Sequence, residues 1–250
     1  MVFKLIIRNR PFSIVKEVKY FYFLITNKVS FFILFKLLKW RVFEIFYLNN
    51  FEEKKFIKFV DIKKFKYSKN WFLANLDVFS NFLKIKPKNI LEIGTYEGLT
   101  AIWMCENFLK SNVYCVDPLV QDLSTSKERI EKDQVDNLYF NLRRYKNKKI
   151  KFFNGTSDAF FLKNQIKFDI IYIDGLHTFE ACTKDMLNGF QNLNLNGYLL
   201  VDDLRLDDYP IKLNIINAVI NFINNYNNYI EITFIGWSVI IMKKISEPKY

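Results

Sequence analysis

The sequence predicts an α/β fold in which a mostly parallel sheet is covered by helices and is preceded by a basic, aromatic N-terminal extension. From Trp71 onward, short apolar runs of strand length alternate with segments of helical length, which is typical of a parallel sheet. Half of the 250 residues are hydrophobic and a quarter are charged, a composition that excludes disordered and collagen-like chains. We therefore expect two regions, an extension over residues 1–70 and an α/β domain over residues 71–250.

The first half of the domain is predicted from hydrophobic periodicity and from apolar runs. The elements, in order, are a helix over residues 71–83, a strand at Asn89–Ile93, a helix over residues 100–109 and a strand at Asn112–Val116 that ends at Asp117. The polar segment that follows, over residues 119–149, is expected to be mostly helix and loop. Both strands are largely apolar, which indicates that they are buried on both faces.

The second half continues the alternation and ends in a hairpin. Strands are predicted at Ile150–Phe153, Phe168–Ile173 and Tyr198–Val201, with a helix at Thr178–Gln191 between the last two. Two further strands, Tyr229–Ile235 and Ser238–Met242, are separated only by Gly236 and Trp237. So short a connection joins antiparallel neighbours, because a parallel crossover needs about a dozen residues. The last strand is therefore expected to run antiparallel.

The N-terminal extension differs from the domain in charge. Residues 1–70 contain 16 Lys and Arg and 5 Asp and Glu, so this segment carries the whole net charge of +11. Its longest charge-free run is residues 20–27, whereas a membrane-spanning helix needs about 18 consecutive apolar residues. Two interpretations remain open: helices that pack on the domain as a lid, or a basic aromatic surface that makes peripheral contact with a membrane.

The cysteine and histidine content disfavours several classes of protein. The three cysteines, at positions 105, 115 and 182, lack a C-x-x-C spacing, and the single histidine is His177. Zinc fingers and disulfide scaffolds are therefore disfavoured. The first alanine is Ala74, so no small-residue signal-peptide cleavage site follows the basic start of the chain. We expect a cytoplasmic protein, with membrane contact confined to the extension.

A glycine turn follows the first predicted strand and indicates a ligand site. Gly94 and Gly98, two of only seven glycines, lie between a strand and a helix, where open α/β sheets bind ligands. The spacing G-x-x-x-G departs from the dinucleotide pattern G-x-G-x-x-G, and the acidic Glu92 beside it discourages a phosphate and suits a cationic ligand. Asp117, at the end of the second strand, is placed to accept ribose hydroxyls.

These residues together resemble the first two motifs of the class I S-adenosylmethionine-dependent methyltransferases. The resemblance implies a Rossmann-like, seven-stranded, mostly parallel sheet with an antiparallel last strand, and a sulfonium cofactor without phosphate. It also implies roles: the methionine end of the cofactor would contact Glu92 and the turn containing Gly94, Tyr96 and Gly98; the ribose would contact Asp117; the adenine would contact Ser157 and Asp158.

A second acidic group is predicted at the same edge of the sheet. Asp174 follows one predicted strand, and Asp202 and Asp203 follow the next. Clustered carboxylates repel one another unless a cation joins them, and an oxygen donor set favours Mg²⁺ or another hard divalent ion. His177 lies three residues after Asp174, and an imidazole, with a pKa of about 6.5, is mostly neutral at neutral pH. A neutral imidazole can act as a general base.

The pattern Asp174-Gly-x-His177-x-Phe with Asp185 downstream, followed by the Asp202-Asp203 pair, resembles the metal-dependent O-methyltransferases that act on macrolide sugars. Catechol O-methyltransferase has a similar layout. The resemblance covers residues 71–244 and implies methyl transfer to a hydroxyl of a sugar, a glycan or another vicinal diol, with Asp174, Asp202 and Asp203 holding the metal. It implies that His177 is the catalytic base beside Asp174, and that Asp185 is structural.

Two alternatives remain. An RNA methyltransferase would use the basic extension to hold phosphates, but an acidic mouth repels phosphate and base methylation needs no group of three carboxylates. A non-catalytic membrane-surface protein could keep the same fold, although the presence of both Asp174 and the Asp202-Asp203 pair argues against it. We expect a small molecule or a glycan as the acceptor.

Overall fold

The computed structural model describes residues 64–68, 85–119, 132–145, 149–204, 215–235 and 239–248, together with the helical residues Tyr22, Ile25 and Phe35. The helix predicted over residues 71–83 and nearly all of the extension lie outside the described residues. The other predicted elements of the α/β domain can therefore be compared with the structure.

Strands and helices alternate along the described part of the chain. The strands are β1 (Asn89–Ile93), β2 (Asn112–Asp117), β3 (Ile150–Asn154), β4 (Phe168–Ile173), β5 (Leu193–Val201), β6 (Ile230–Ile235) and β7 (Ile240–Lys244). The helices, numbered among the described residues of the domain, are α1 (Leu99–Asn107), α2 (Lys132–Tyr145), α3 (Ser157–Lys163), α4 (Phe179–Asn192) and α5 (Ile215–Tyr226).

The strands form a seven-stranded sheet in the order β3-β2-β1-β4-β5-β7-β6. The pairs among β1 to β5 are parallel, whereas β7 runs antiparallel to both β5 and β6. This arrangement confirms the predicted Rossmann-like α/β class with an antiparallel last strand. Because β1 to β5 are parallel, their carboxyl ends all meet at one edge of the sheet.

The sheet is buried on both faces, and the side chains of β4 lie in a different core on each face. Ile171 and Ile173 point into a core that includes side chains of α3, α4 and α5, whereas Ile170 and Tyr172 point into a second core that includes α1. Side chains alternate along a strand. Asp174 therefore lies on the same face of the sheet as Ile170 and Tyr172.

Three elements differ most from the sequence-based expectation, whereas β7, at Ile240–Lys244, begins and ends two residues later than predicted. β5 begins at Leu193, five residues before the predicted start. The prediction missed these residues because the polar Asn194 and Asn196 interrupt the apolar run. A register irregularity with β4 also lies in this part of the strand. Helices α3 and α5 were not among the predicted elements. α5 is amphipathic: its apolar residues pack in the core that contains Ile171 and Ile173, whereas Asn221, Asn224 and Asn225 are exposed. The helical pattern was therefore present in the sequence, and the prediction omitted it.

No helix among the described residues is both long enough and apolar enough to cross a membrane.

Candidate active site

The candidate active site lies at the carboxyl edge of the parallel strands, between β1 and β4. The order of the sheet reverses here, since β2 and β3 lie on one side of β1 and β5 lies beyond β4. In open α/β sheets, ligands bind in the crevice at such a switch point. The predicted acidic residues stand at the ends of β1, β2, β4 and β5, so they surround this crevice.

The glycine turn after β1 brings two loops into contact. Gly94, Tyr96 and Gly98 have φ angles of 87°, 49° and 80°, all in the left-handed region that favours glycine. A Cβ atom at Gly94 would lie 1.9 Å from the carbonyl oxygen of Asp174, and one at Gly98 would lie 3.0 Å from the side chain of Leu138. The absence of a side chain at Gly94 therefore lets the loop after β1 approach the loop after β4.

Asp117 holds this turn from the neighbouring strand. Its Oδ2 atom accepts hydrogen bonds from the backbone N–H groups of Thr95, at 3.0 Å, and Tyr96, at 2.9 Å. Its Oδ1 atom accepts from the N–H of Leu119 at 2.8 Å. A carboxylate oxygen has two acceptor positions, so Oδ1 keeps one for a ligand hydroxyl. The three bonds orient the carboxylate before any ligand arrives.

Glu92 lies beneath the turn and is nearly fully buried, with 1% of its surface exposed. Among the described residues, its Oε2 atom has no hydrogen-bond partner. Burial, followed by the charges of Asp174 and Asp117, raises the pKa of Glu92 well above its usual value. A buried acid with an open acceptor atom fits a ligand that brings N–H donors or a positive charge.

The structure brings Asp174, His177 and Asp203 together at the mouth of the crevice. The Nε2 atom of His177 lies 3.5 Å from Oδ1 of Asp174 and 3.4 Å from Oδ2 of Asp203. One ligand atom from each of the three residues falls within 4.8 Å of the others, a spacing that suits a metal ion. Asp203 has a φ of 52°, so an unusual backbone conformation aims its carboxylate at this cluster.

Asp202 is placed differently from its neighbour. It is 4% exposed, its Oδ1 atom accepts from the N–H of Asp203 at 2.7 Å, and its Oδ2 atom accepts from the phenol of Tyr172 at 2.5 Å. The same phenol oxygen lies 3.1 Å from Oδ2 of Asp174. Of the three predicted metal ligands, Asp174 and Asp203 therefore stand at the mouth with His177, and Asp202 lies behind them.

The electrostatics of the cluster favour a bound cation. Burial, followed by the neighbouring charges of Asp174 and Asp203, raises the pKa of Asp202. Desolvation and the charge of Asp203 raise the pKa of Asp174, although the contacts with His177 and Tyr172 oppose the rise. Carboxyls that resist ionisation in this way are stabilised as carboxylates when a cation binds between them.

Ser157 and Asp158, the positions expected to contact adenine, lie at the start of α3 on the same edge of the sheet. Asp158 is half exposed and directs its carboxylate toward α4, where the Nζ of Lys184 lies 3.4 Å away. Ser157 forms a side-chain hydrogen bond with Asp185 of α4, and burial raises the pKa of that aspartate to about 6. Asp185 thus joins α4 to the start of α3.

Two residues near the site carry no motif that would reveal them. The carboxylate of Glu97 is buried and accepts from the backbone N–H of Ser68 at 2.9 Å and from Nδ2 of Asn137 at 2.8 Å. Asn141 is fully buried and exchanges two hydrogen bonds with the backbone of Lys66. Residues 64–68 are therefore joined to the glycine turn and to α2. A buried polar residue in a polar stretch of sequence looks like a surface residue, so only contacts reveal it.

Tyr172 also escapes prediction, because a tyrosine in a buried strand is usually a core residue. The sequence offers one indication of its role: Tyr172 lies two residues before Asp174, so both side chains are on the same face of the sheet.

Comparisons with known proteins concern the domain and its fold. Residues 91–204 match a family model described as a methyltransferase domain. A curated relative, the uncharacterized protein R132 of Acanthamoeba polyphaga mimivirus, is 26% identical over 146 residues, which are 58% of this chain and 63% of that protein. The match therefore spans less than two thirds of the relative's length.

Solved structures show the same fold at low sequence identity. The SAH-bound methyltransferase PaMTH1 of Podospora anserina is 16% identical, with 94% of this chain and 98% of that chain covered and a TM-score of 0.53. An O-methyltransferase of Bacillus cereus, in complex with SAH, is 15% identical, with 67% of this chain and 78% of that chain covered and a TM-score of 0.50.

Proposed function

We propose that the chain is a class I S-adenosylmethionine-dependent methyltransferase and that it methylates a hydroxyl oxygen in a metal-dependent reaction. The observation that carries the proposal is the approach of His177 to Asp174 and Asp203 beside the glycine turn. A proton acceptor next to a cation-binding group is what activation of a hydroxyl requires.

The cofactor proposed for the crevice is S-adenosylmethionine. The open acceptor atom of buried Glu92 suits the ammonium and sulfonium charges of its methionine end, beside Gly94, Tyr96 and Gly98. The oriented carboxylate of Asp117 suits the ribose hydroxyls. The relatives with solved structures include proteins bound to SAH, the product of this cofactor, which supports the same ligand here. Two further residues, Ser157 and Asp158, would contact the adenine.

The proposed metal is Mg²⁺ or another hard divalent cation. The donor set fits, since carboxylate oxygens of Asp174 and Asp203 cluster at the mouth with Asp202 directly behind them. These three aspartates would hold the ion. When bound, it would supply Lewis-acid chemistry that lowers the pKa of the acceptor hydroxyl.

His177 is proposed as the general base. Its Nε2 atom would take the proton from the acceptor hydroxyl. When bound, S-adenosylmethionine would supply the methyl group, and S-adenosylhomocysteine would be the leaving group. Asp174 and Asp203 lie 3.5 and 3.4 Å from this nitrogen, at the proposed cation site.

The proposed acceptor is a hydroxyl of a sugar, a glycan or another vicinal diol, because two adjacent oxygen atoms can coordinate the same hard cation. The proposed setting is the cytoplasm, with peripheral membrane contact through residues 1–70, whose net charge of +11 suits an anionic surface.

Metal removal tests this function. The full chain is incubated with labelled S-adenosylmethionine and a panel of sugars, glycans and catechols, with EDTA and then with added Mg²⁺. We expect methyl transfer to stop with EDTA and to return with Mg²⁺. Asp174→Asn should lower the turnover that Mg²⁺ restores, whereas Asp136→Asn, at an exposed position on α2, serves as the control. Full turnover after exhaustive chelation would remove the metal from the mechanism.

A further inference from the structure

Tyr172 places a phenol between two carboxylates of the site. It lies in β4, is 2% exposed, and its neighbour in register on β5 is Leu200. Asp174 and Asp202 each follow two residues later on these parallel strands, so all four side chains share one face of the sheet. The phenol therefore sits directly beneath the pair of aspartates.

The distances show to which carboxylate the phenol donates its hydrogen bond. The phenol oxygen lies 2.5 Å from Oδ2 of Asp202 and 3.1 Å from Oδ2 of Asp174. A phenol carries one proton and donates it to one carboxylate at a time, so the shorter contact identifies Asp202 as its main acceptor. The bond is charge-assisted whenever Asp202 is ionised.

Asp202, held by the phenol, also forms a hydrogen bond with the backbone of Asp203. Its other oxygen, Oδ1, accepts from the backbone N–H of Asp203 at 2.7 Å. That backbone has a φ of 52°, a conformation that few residues other than glycine adopt without support. The carboxylate of Asp203 then reaches to within 3.4 Å of His177. Two hydrogen bonds and the main chain of Asp203 thus link the buried phenol to the mouth of the site.

The apolar surroundings of the ring do not require a hydroxyl group. Tyr172 belongs to the core that contains Ile90, Ile170 and Leu200, and a phenylalanine would fill the same space. The hydroxyl distinguishes the two residues, and it is directed at the aspartates. Hydrogen-bonding partners of ligating carboxylates commonly tune metal affinity.

We infer that Tyr172 is a positioning residue, whose hydroxyl holds Asp202 and, through it, the backbone of Asp203 in the arrangement that binds the cation. This inference rests on the proposed function, because the cation is part of that proposal.

The test compares Mn²⁺ affinity, read from the electron paramagnetic resonance signal of free Mn²⁺, in the full-length wild type and in Tyr172→Phe. We expect the dissociation constant to rise about 10–100-fold in the variant. Tyr114→Phe is the matched control, since Tyr114 is also buried in the sheet but its hydroxyl contacts Lys151. Its dissociation constant should equal that of the wild type, even if its thermal unfolding midpoint falls.

A double variant tests whether Tyr172 acts through Asp202. In an Asp202→Ala background, adding Tyr172→Phe should cost little further affinity, because the contact has already been removed. An equal loss in both backgrounds would overturn action through Asp202. Should the single variant fail to fold, folding of the double variant would support the contact, and failure of both would overturn it.

The outcomes separate this inference from the proposed function. Wild-type affinity in Tyr172→Phe would overturn the positioning role and leave the proposed metal site intact. Absence of Mn²⁺ binding in the wild type would overturn the proposed metal, and the inference with it.

Discussion

His177 is the residue on which the proposed chemistry depends most directly. Its Nε2 atom faces Asp174 and Asp203 at 3.5 and 3.4 Å, so the imidazole is oriented by two carboxylates from different loops. A base positioned in this way typically contributes about 10²–10⁴-fold to a rate.

Replacement of the imidazole should therefore affect turnover and spare cofactor binding. In His177→Ala we expect kcat to fall by about 10²–10⁴-fold, while the affinity for S-adenosylhomocysteine changes little. Leu176→Ala truncates an exposed neighbour in the same loop and serves as the control. A variant that retains more than about a tenth of wild-type turnover would show that His177 only orients other groups.

Asp117 supports a second prediction at the scale of single residues. Its carboxylate holds the glycine turn through three backbone N–H groups and is proposed to accept the ribose hydroxyls. Asp117→Ala should weaken binding of S-adenosylhomocysteine by about 1.5–3 kcal/mol, the range for hydrogen bonds to a charged group. Titration calorimetry measures the change, with Asp136→Ala as a surface control. Unchanged affinity in folded protein would contradict this role.

The site residues differ in how far the sequence predicted them. Glu92 and Asp117 lie at the carboxyl ends of strands, and Asp174 and the Asp202-Asp203 pair directly follow strands. Strand ends can be read from apolar runs. The orientation of Asp202 toward Tyr172 could not be predicted in this way. Adjacent residues in a chain point in different directions, and contacts across the sheet decide which one faces the mouth.

At the scale of elements, α4 supplies both a strand connection and a support for the site. It begins after Thr178, whose Oγ1 accepts from the N–H of Ala181 at 3.2 Å, and it carries Asp185 beneath the loop after β4. A Cβ atom at Gly175 would lie 3.6 Å from Oδ2 of Asp185. The helix therefore packs against the loop that presents Asp174 and His177.

The raised pKa of Asp185 predicts how this packing depends on pH. Burial raises its pKa from 3.8 to about 6 in the folded protein. Between these two values the unfolded chain binds fewer protons than the folded one, so stability falls as pH rises through the window. At pH 8 the ionised group costs about 3 kcal/mol, at about 1.4 kcal/mol for each unit of pKa shift.

Asp185→Asn should remove this cost without changing the shape of the side chain. We expect the variant to gain more stability, relative to wild type, at pH 8 than at pH 5, as measured by urea unfolding at both values. Asp136→Asn, on the surface of α2, should show no such difference. An equal gain at the two pH values would mean that Asp185 titrates normally in the folded protein.

The elements themselves were predicted unevenly. β1 and β4 have the predicted bounds, because each is a short apolar run between polar or turn-forming residues. The first part of β5 escaped prediction because Asn194 and Asn196 are poor strand residues, although Asn194 bonds to Asp169 of β4 at 2.7 Å. Leu193 pairs with Phe168 of β4, so the strand begins before the register irregularity that contains the two asparagines.

At the scale of the whole molecule, the extension is joined to the domain at its end. The backbone of Lys66 and Ser68 bonds to Asn141 and Glu97, and the Nζ of Lys66 lies 4.6 Å from the ring centre of Phe140. The described end of the extension thus lies beside the glycine turn.

Vesicle co-sedimentation tests the proposed membrane contact. The full chain should sediment with anionic vesicles at low salt and be released as salt rises, because each lysine near such a surface contributes about 1 kcal/mol. Neutral vesicles are the control for binding that does not depend on the charge of the lipid. Charge reversal at Lys36 and Lys39 should weaken binding, whereas reversal at Lys110, exposed in the domain, should have less effect. No sedimentation with anionic vesicles at low salt would reject the membrane role.

The sequence by itself determined the class of fold and the positions of the acidic strand ends, because both depend on periodicity and on spacing along the chain. Only the tertiary structure decided which atoms meet. Tyr172 and Asp202 are 30 residues apart, and Ser68 and Glu97 are 29 apart, yet each pair forms a hydrogen bond. Such contacts depend on strand register and on the packing of separate segments, which local sequence patterns do not encode.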